Sequence, residues 1–340
     1  MAPPDFSSHM PDARVLVTGG SGFIGTNLVH AYKSAGIAVS NLDIESPRND
    51  ADSDVWIKAD LTDPEELSAA FEACRPTHVF HLGARTDLDS KRVEDYDANT
   101  RGVKNLLDAV RSATVPVVRT VVASSRLVCR LGYQPGSDED YCPTTAYGAS
   151  KVETEHLVRA TADVPWVLVR PTSIWGPWFG VPYRDFFLNV ARGRYVHPAG
   201  RRIEKSFGYV GNTTWQLHCL MGALDEDVLG RTFYMGDDPP IEVHDLARRI
   251  SAAVGRRPPR TVPVSVLRLI ARAGDAAERI GIRAPLTSFR LANLLTPMLL
   301  DVAPLMRISG PSPYDEDTGV ATTLRWMRGE GLLDARRAVA

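Results

Sequence analysis

The sequence predicts an α/β protein: a doubly wound parallel sheet with a smaller α/β C-terminal part that binds substrate. Three observations carry this. Short, nearly continuous apolar runs alternate with stretches of helical periodicity through the first half. A glycine-rich turn joins the first apolar run to the first helical stretch. After about residue 176 the alternation loosens, and glycine, proline and aromatic residues gather in "WGPWFGVPYRDFF".

Taken in order, "MAPPDFSSHMPDA" has neither the apolar core nor the basic start of a signal peptide, and residues 1–12 read as a disordered lead-in. "RVLVTGG" is a strand and "GTNLVHAYKSAG" a helix stopped by Gly36. "IAVSNLD" is a second strand. "PEELSAAFEAC" is a helix with Pro64 at its start and acids in its first turn. "HVFHLGA", "NTRGVKNLLDAVRSA" and "VRTVVASS" then read as strand, long helix and strand. "AYGASKVETEHLVRATA" is a helix and "WVLVRPTSI" a strand. Residues 13–175 are thus expected to form the sheet domain, with strand and helix returns from the C-terminal half. Residues 176–340 mainly bind substrate, grown from loops at the carboxyl edge of the sheet. "VSVLRLIARAGDAAERIG" has apolar residues at helical spacing and is read as core packing rather than as a membrane-surface helix.

Bulk properties exclude several classes. A net charge of −2 gives no electrostatic reason to expect nucleic acid or an anionic membrane as partner. The four cysteines include no C-x-x-C pair, so neither a metal centre nor a disulfide framework is expected, and reduced thiols fit the cytoplasm. No apolar run approaches the ~18 residues of a membrane span.

"TGGSGFIG" sets Gly19, Gly22 and Gly25 three apart, between a strand and a helix. Glycines there let the backbone turn tightly and approach a pyrophosphate, which the helix N-terminus then faces. Asp43 ends the second strand, 24 residues beyond Gly19. It reads either as an acceptor for the adenosine ribose hydroxyls, favouring NAD over NADP, or as a solvated acid at a strand end. Arg48, close behind, offers a partner for a 2′-phosphate. Asp60 and Leu61 of "ADLTD" are candidates for the adenine edge.

"AYGASK" places Tyr147 and Lys151 four apart, on one helix face. A phenol near pKa 10 is a poor base at neutral pH, and a nearby ammonium stabilises its phenolate. The pair gains weight from serines ending the preceding strand.

With these residues in view, the chain resembles the extended short-chain dehydrogenase/reductases, in the group of nucleotide-sugar epimerases and dehydratases. The resemblance runs through "TGGSGFIG", "ADLTD", "HLGA", "NTRGVKNLLDAV", "VVASSRLV", "AYGASK", "LVRPTSIWGP", "KSFGYV" and "YDEDTGVATTLRW". It implies a Rossmann-type fold, an NAD cofactor, a nucleotide-diphosphate sugar as substrate, and a homodimer. It also implies that Gly19, Gly22, Phe23, Ile24 and Gly25 line the pyrophosphate, while Asp43, Asp60 and Leu61 hold the adenosine. Leu82, Gly83 and Ala84 would pass beside the cofactor, Asn99 would brace the site and Pro171 would lie near the nicotinamide. Tyr147 would be the base, Lys151 its partner and Ser125 the hydrogen-bonding helper, three positions before Val128. Ser173, Lys205 and Arg290 would touch the substrate, Lys205 standing where relatives usually carry an arginine that grips the diphosphate. Arg290 reads equally as a surface or capping residue. The aromatics of "WGPWFGVPYRDFF" read either as a stacking platform or as packing.

The two residues after Ser125 narrow the reaction. Dehydratases of the group typically carry Asp-Glu there, and decarboxylases a glutamate just before the valine. Here the positions hold Arg126 and Leu127, neither a general acid at neutral pH. A nucleotide-sugar epimerase, acting at C4 through a transient 4-keto-sugar, is therefore expected. A nucleotide-ketosugar reductase is the alternative, followed by a 4,6-dehydratase drawing on an acid such as Asp87. Arg126 also leaves room for an anionic sugar.

Overall fold

Val15, Leu16 and Val17 are all buried, so strand β1 (Arg14–Thr18) presents apolar side chains to both faces of a sheet. A strand with both faces covered belongs in a parallel sheet with helices on either side. The computed structural model, which describes residues 4–6, 12–279, 281, 282, 284 and 286–333, has that arrangement. After β1 come α1 (Phe23–Ser34), β2 (Ala38–Asp43), β3 (Trp56–Lys58), α2 (Pro64–Cys74) and β4 (His78–His81). Then come α3 (Arg101–Ser112), β5 (Arg119–Ala123), α4 (Ala146–Arg159) and β6 (Trp166–Pro171). Helix starts obey the chemistry of the chain. Asp63 accepts from the amides of Glu65 and Glu66 ahead of Pro64, and Thr145 accepts from Gly148 at the head of α4.

The second half continues with β7 (Ser173–Trp175), α5 (Tyr183–Ala191), β8 (Val196–Pro198), β9 (Glu204–Lys205), β10 (Phe207–Tyr209) and α6 (Val210–Gly222). Next are α7 (Asp225–Val228), β11 (Thr232–Met235), β12 (Ile241–Glu242), α8 (Val243–Ala253) and β13 (Arg260–Val262). Helices α9 (Val264–Arg279), α10 (Ser288–Leu295), α11 (Ala303–Ser309) and α12 (Glu316–Gly329) complete the fold.

The central sheet has seven parallel strands in the order β11-β6-β5-β4-β1-β2-β3. Strand β11 comes from the second half and pairs Phe233 with Val169. The chain steps outward from β1 to β3 and returns to β4 on the other side of β1. That reversal opens a crevice at the carboxyl ends of β1 and β4, where doubly wound sheets bind ligands. One face is filled by Leu28, Val29, Tyr32, Leu217 and Leu220 from α1 and α6. The other is filled by Leu67, Phe71, Val103, Leu106 and Val158 from α2, α3 and α4. Phe6, inside the expected lead-in, is itself buried, edge-on to Tyr32, Trp215 and His218.

A second core forms the C-terminal lobe around Trp175, Phe179, Phe187, Tyr209, Leu246 and Met327. Trp175 lies 5.4 Å from Phe187 and 5.1 Å from Tyr209, ring to ring, so these aromatics pack the lobe. Helix α9 departs from its expected role. Leu267, Ala271 and Gly274 face inward toward α10, but Val266, Leu269 and Ile270 are 44%, 69% and 48% exposed. Core packing accounts for one side of this helix only.

Asp237 ties β10 to α6, accepting from the Tyr209 amide at 2.7 Å and the Asn212 side-chain amide at 3.0 Å. Burial pushes its carboxyl up to about 7. Because this folded value lies above the unfolded one of about 4, the native state holds a proton that the unfolded chain has lost across that window. The group's contribution to stability is fully present below the window and is lost as pH rises through it. Urea unfolding from pH 4 to 8 is expected to show the wild type losing stability relative to Asp237→Asn. A constant difference across that range would refute the assignment.

Candidate active site

Gly19 comes just after β1 at φ +71, and a Cβ there would stand 2.4 Å from the Gly83 amide nitrogen. A Cβ on Gly25 would meet the Gly19 carbonyl at 2.1 Å. The turn after β1, the end of β4 and the first turn of α1 therefore meet through bare backbone. Gly22 is the N-cap of α1, with no side-chain cap and no acid in the first turn. The helix start is thus left open to an anion, while the side chains of Phe23 and Ile24 turn toward the lobe core.

Asp43 reaches over this turn, its two carboxylate oxygens accepting from the amides of Ser21 and Glu45 at 3.0 Å each. Partial burial raises its carboxyl above the ordinary value, against those hydrogen bonds. Arg48 donates instead to the Trp178 carbonyl at 2.8 Å. Asp60 caps its own loop by accepting from the amide and hydroxyl of Thr62. Leu61 is buried, and a Cβ on either Gly83 or Gly102 would strike it. Leu82 donates its amide to the Thr18 carbonyl, carrying β1 and β4 side by side into Gly83 and Ala84. Asn99 then pins the next loop. It accepts from the Arg85 amide and donates to the Arg85 carbonyl and the Ser150 hydroxyl, at 2.8, 3.0 and 2.9 Å. This glycine cradle, uncapped helix start and strand-end carboxylate fit the pyrophosphate and ribose of a dinucleotide.

Ser125 lies two residues beyond the end of β5 and caps the short turn Arg126–Val128, its hydroxyl accepting from the Leu127 amide at 3.1 Å. Helix α4 rests directly on that turn: a Cβ on Gly148 would lie 2.3 Å from the Leu127 carbonyl oxygen. This contact sets Tyr147 beside Ser125. Burial pushes the Tyr147 phenol up to about 12, and the Ser125 hydroxyl draws it back down. One turn on, the Lys151 ammonium donates to the Ala123 carbonyl at 2.8 Å, and burial lowers it to about 8. Pro171 closes β6 beside the same strand ends.

Beneath these three lies a group the sequence reading missed. Glu155 is fully buried and receives Arg170 through two bonds, Nε at 2.8 Å and Nη2 at 2.7 Å. Ser124 donates to the same carboxylate at 2.6 Å and Tyr141 at 3.0 Å. Ser124 is therefore scaffold, and the pair fastens α4 to β5 and β6. Two signals pointed to it. Tyr147, Lys151 and Glu155 continue one spacing of four, and Arg170 interrupts an apolar strand that needs a counter-charge there. His81, also missed, ends β4 with its Nδ1 2.7 Å from the Thr18 hydroxyl; burial and Lys151 lower it to about 3, so it is neutral.

Of the remaining expected residues, Ser173 opens β7 and Lys205 ends β9. Tyr183 donates to Ser173, whose hydroxyl approaches Met298. Lys205 donates to the carbonyls of Asn293 and Thr296 at 2.9 and 2.8 Å, holding the end of α10. Two of its three donors are thus used within the protein. The Arg126 guanidinium makes no hydrogen bond or ion pair with any described residue; burial lowers it, and the phenols of Tyr183 and Tyr234 oppose that through space. Arg290 is not brought to this group. It donates to the Ala284 carbonyl and lies 3.9 Å from Glu278, between α9 and α10. Asp87 is held in an exposed ion pair with Arg85. Among the described residues no cluster of metal-ligating side chains occurs.

Such a cradle beside a buried tyrosine–lysine pair fits a dinucleotide-dependent enzyme. Its family is shown by comparison: residues 15–193 match the model of the NAD dependent epimerase/dehydratase family, and the chain belongs to that family. It is 30% identical to the 3 beta-hydroxysteroid dehydrogenase/Delta 5-->4-isomerase of Mycobacterium tuberculosis H37Rv, over 73% of this chain and 71% of that protein. It is also 30% identical to the dTDP-glucose 4,6-dehydratase of Neisseria meningitidis serogroup B, over 66% and 70%. The solved structure of Thermus thermophilus UDP-glucose 4-epimerase in complex with NAD shares its fold. The TM-score is 0.68 at 24% identity, covering 93% of this chain and 99% of that one. Among the described residues, no helix is long and apolar enough to cross a membrane.

Proposed function

We propose that this enzyme is an NAD-dependent nucleotide-sugar epimerase acting at C4. The observation that carries the reading is a buried Ser125–Tyr147–Lys151 group next to a turn, Arg126–Val128, without an acid. Bound NAD supplies reversible two-electron oxidation of the substrate carbon. Gly19, Gly22 and Gly25 hold its pyrophosphate, and Asp43 its adenosine ribose. With Arg48 committed to Trp178, that carboxylate disfavours a 2′-phosphate and supports NAD over NADP.

Tyr147 Oη would take the hydroxyl proton as the 4-keto-sugar forms and, after the sugar turns over, return it to the same oxygen, while the two-electron oxidation and reduction at C4 that bound NAD supplies would fall on opposite faces. Ser125 donates to the same substrate oxygen. Ser125 opposes the burial that raises this phenol, and Lys151, one turn on, would offset the phenolate charge. Elimination needs a separate acid. Arg126 and Leu127 do not provide one, and Asp87 is paired with Arg85. Arg126 and Lys205 make the substrate wall cationic, which suits a nucleoside diphosphate.

The steroid dehydrogenase relative favours a second reading, net oxidation of an apolar secondary alcohol with NAD consumed in each turnover. Purified protein decides between the two. The epimerase is expected to interconvert UDP- or dTDP-hexose C4 epimers with no added cofactor and no net change in NADH absorbance. Stoichiometric NADH formation with a hydroxysteroid would establish the second reading, and a 6-deoxy-4-keto product would overturn both.

A further inference from the structure

Helix α9 carries two apolar faces, and only one of them is used inside the protein. Leu267, Ala271 and Gly274 point inward, with Leu291 of α10 packed against the first two. Val266, Leu269, Ile270, Ala273 and Ala276 recur at intervals of three and four residues along an adjacent side, and all are exposed. At 100° per residue this stripe is centred about 120° from the buried one. Phe289, just past Ser288, whose amide Asp275 holds, adds a ring that is 74% exposed.

One edge of the stripe is basic. Arg268, Arg272 and Arg279 project from the side away from the core, and Arg268 and Arg272 make no ion pair or hydrogen bond with any described residue. The nearby acids are engaged: Asp275 with the Ser288 amide, and Glu278 near Arg290. The chain as a whole carries −2, so this basic, apolar surface stands out against it. A helix of 16 residues, about 24 Å long, with an apolar stripe and a flanking arginine row is the pattern of a segment lying in the plane of a lipid interface. The same surface on a second copy offers no free carboxylate to receive the arginines, whereas anionic headgroups do.

We infer that α9, with Phe289 of α10, docks on an anionic membrane surface. The interaction is peripheral: the stripe enters the headgroup region while Arg268 and Arg272 meet lipid phosphates. It holds whichever reaction the active site performs. Docking would also set the membrane beside the substrate wall, because Lys205 binds the carbonyls at the end of α10.

Flotation of the intact protein with vesicles tests this. Phosphatidylglycerol-containing vesicles are expected to carry the protein upward, and pure phosphatidylcholine vesicles and raised salt to release it. Arg268→Ser with Arg272→Ser should lower partitioning roughly thirtyfold, at about 1 kcal/mol per basic residue. Leu269→Ser with Ile270→Ser should lower it at least as far. Retained NAD binding and unchanged thermal unfolding in both variants would show that folding is intact. Failure of the folded wild type to bind phosphatidylglycerol, or equal binding by the variants, would overturn the inference. So would sedimentation showing a dimer that Leu269→Ser with Ile270→Ser dissociates.

Discussion

Tyr147→Phe is expected to reduce turnover by about 10²–10⁴-fold while leaving NAD bound and the fold unchanged. The ring is 8% exposed and packs beside Tyr96 at 6.1 Å, so phenylalanine fills the same space. The phenol meets the Ser125 hydroxyl rather than the main chain, so its loss leaves no backbone group orphaned. What disappears is the group that Ser125 and Lys151 converge upon. Stopped-flow or steady-state rates, read beside the NAD content of the purified protein, check this. Activity within tenfold of wild type would place the proton transfer elsewhere. Burial pushes the phenol up to about 12 and the Lys151 ammonium down to about 8, so raising the pH increases the fraction of phenolate able to accept the proton. Wild-type turnover should therefore rise with pH on the acid side.

Glu155→Gln is expected to lower unfolding free energy by about 3–5 kcal/mol, the usual cost of leaving one buried charge of a pair unmatched. Arg170 is 1% exposed, and without the carboxylate its guanidinium keeps only the Asp138 carbonyl and the Tyr234 hydroxyl. Ser124 and Tyr141 would lose an ionised acceptor at the same moment. Lys151 would shift as well, since Glu155 is what raises it against burial. Paired replacement, Glu155→Leu with Arg170→Leu, should recover much of the lost stability, because apolar groups of similar volume carry no desolvation cost. Urea unfolding of the three proteins measures this. A Glu155→Gln protein as stable as wild type would show the pair to be dispensable.

The alternation of apolar runs with helices makes the sheet legible, because strands such as Val15–Val17 must be apolar on both faces. The glycine turn and the Tyr147–Lys151 spacing are legible for the same kind of reason, since each is a local constraint written in adjacent residues. Sequence fails where the determinant is distant. Arg290 reads equally as a substrate contact or as a surface or capping residue, and its partners in the folded chain, Ala284 and Glu278, lie on its own helical hairpin. The resemblance through "KSFGYV" points Lys205 at the substrate, and the folded chain adds that its ammonium also holds the carbonyls of Asn293 and Thr296. Helix α9 shows the limit of periodicity. A hydrophobic stripe reports that some face is apolar, and two adjacent stripes of unequal fate look like one broad one.

The contact between Gly148 and the Leu127 carbonyl leaves less room than one methyl group. It works as a mechanical stop: α4 settles until its main chain meets the turn after Ser125, and the reach from serine to phenol is set there. Side chains around that stop are then free to vary without altering the reach. Arg126 lies in that turn and Cys129 directly after it, so side chains there can change what the site accepts while the serine-to-phenol reach stays fixed.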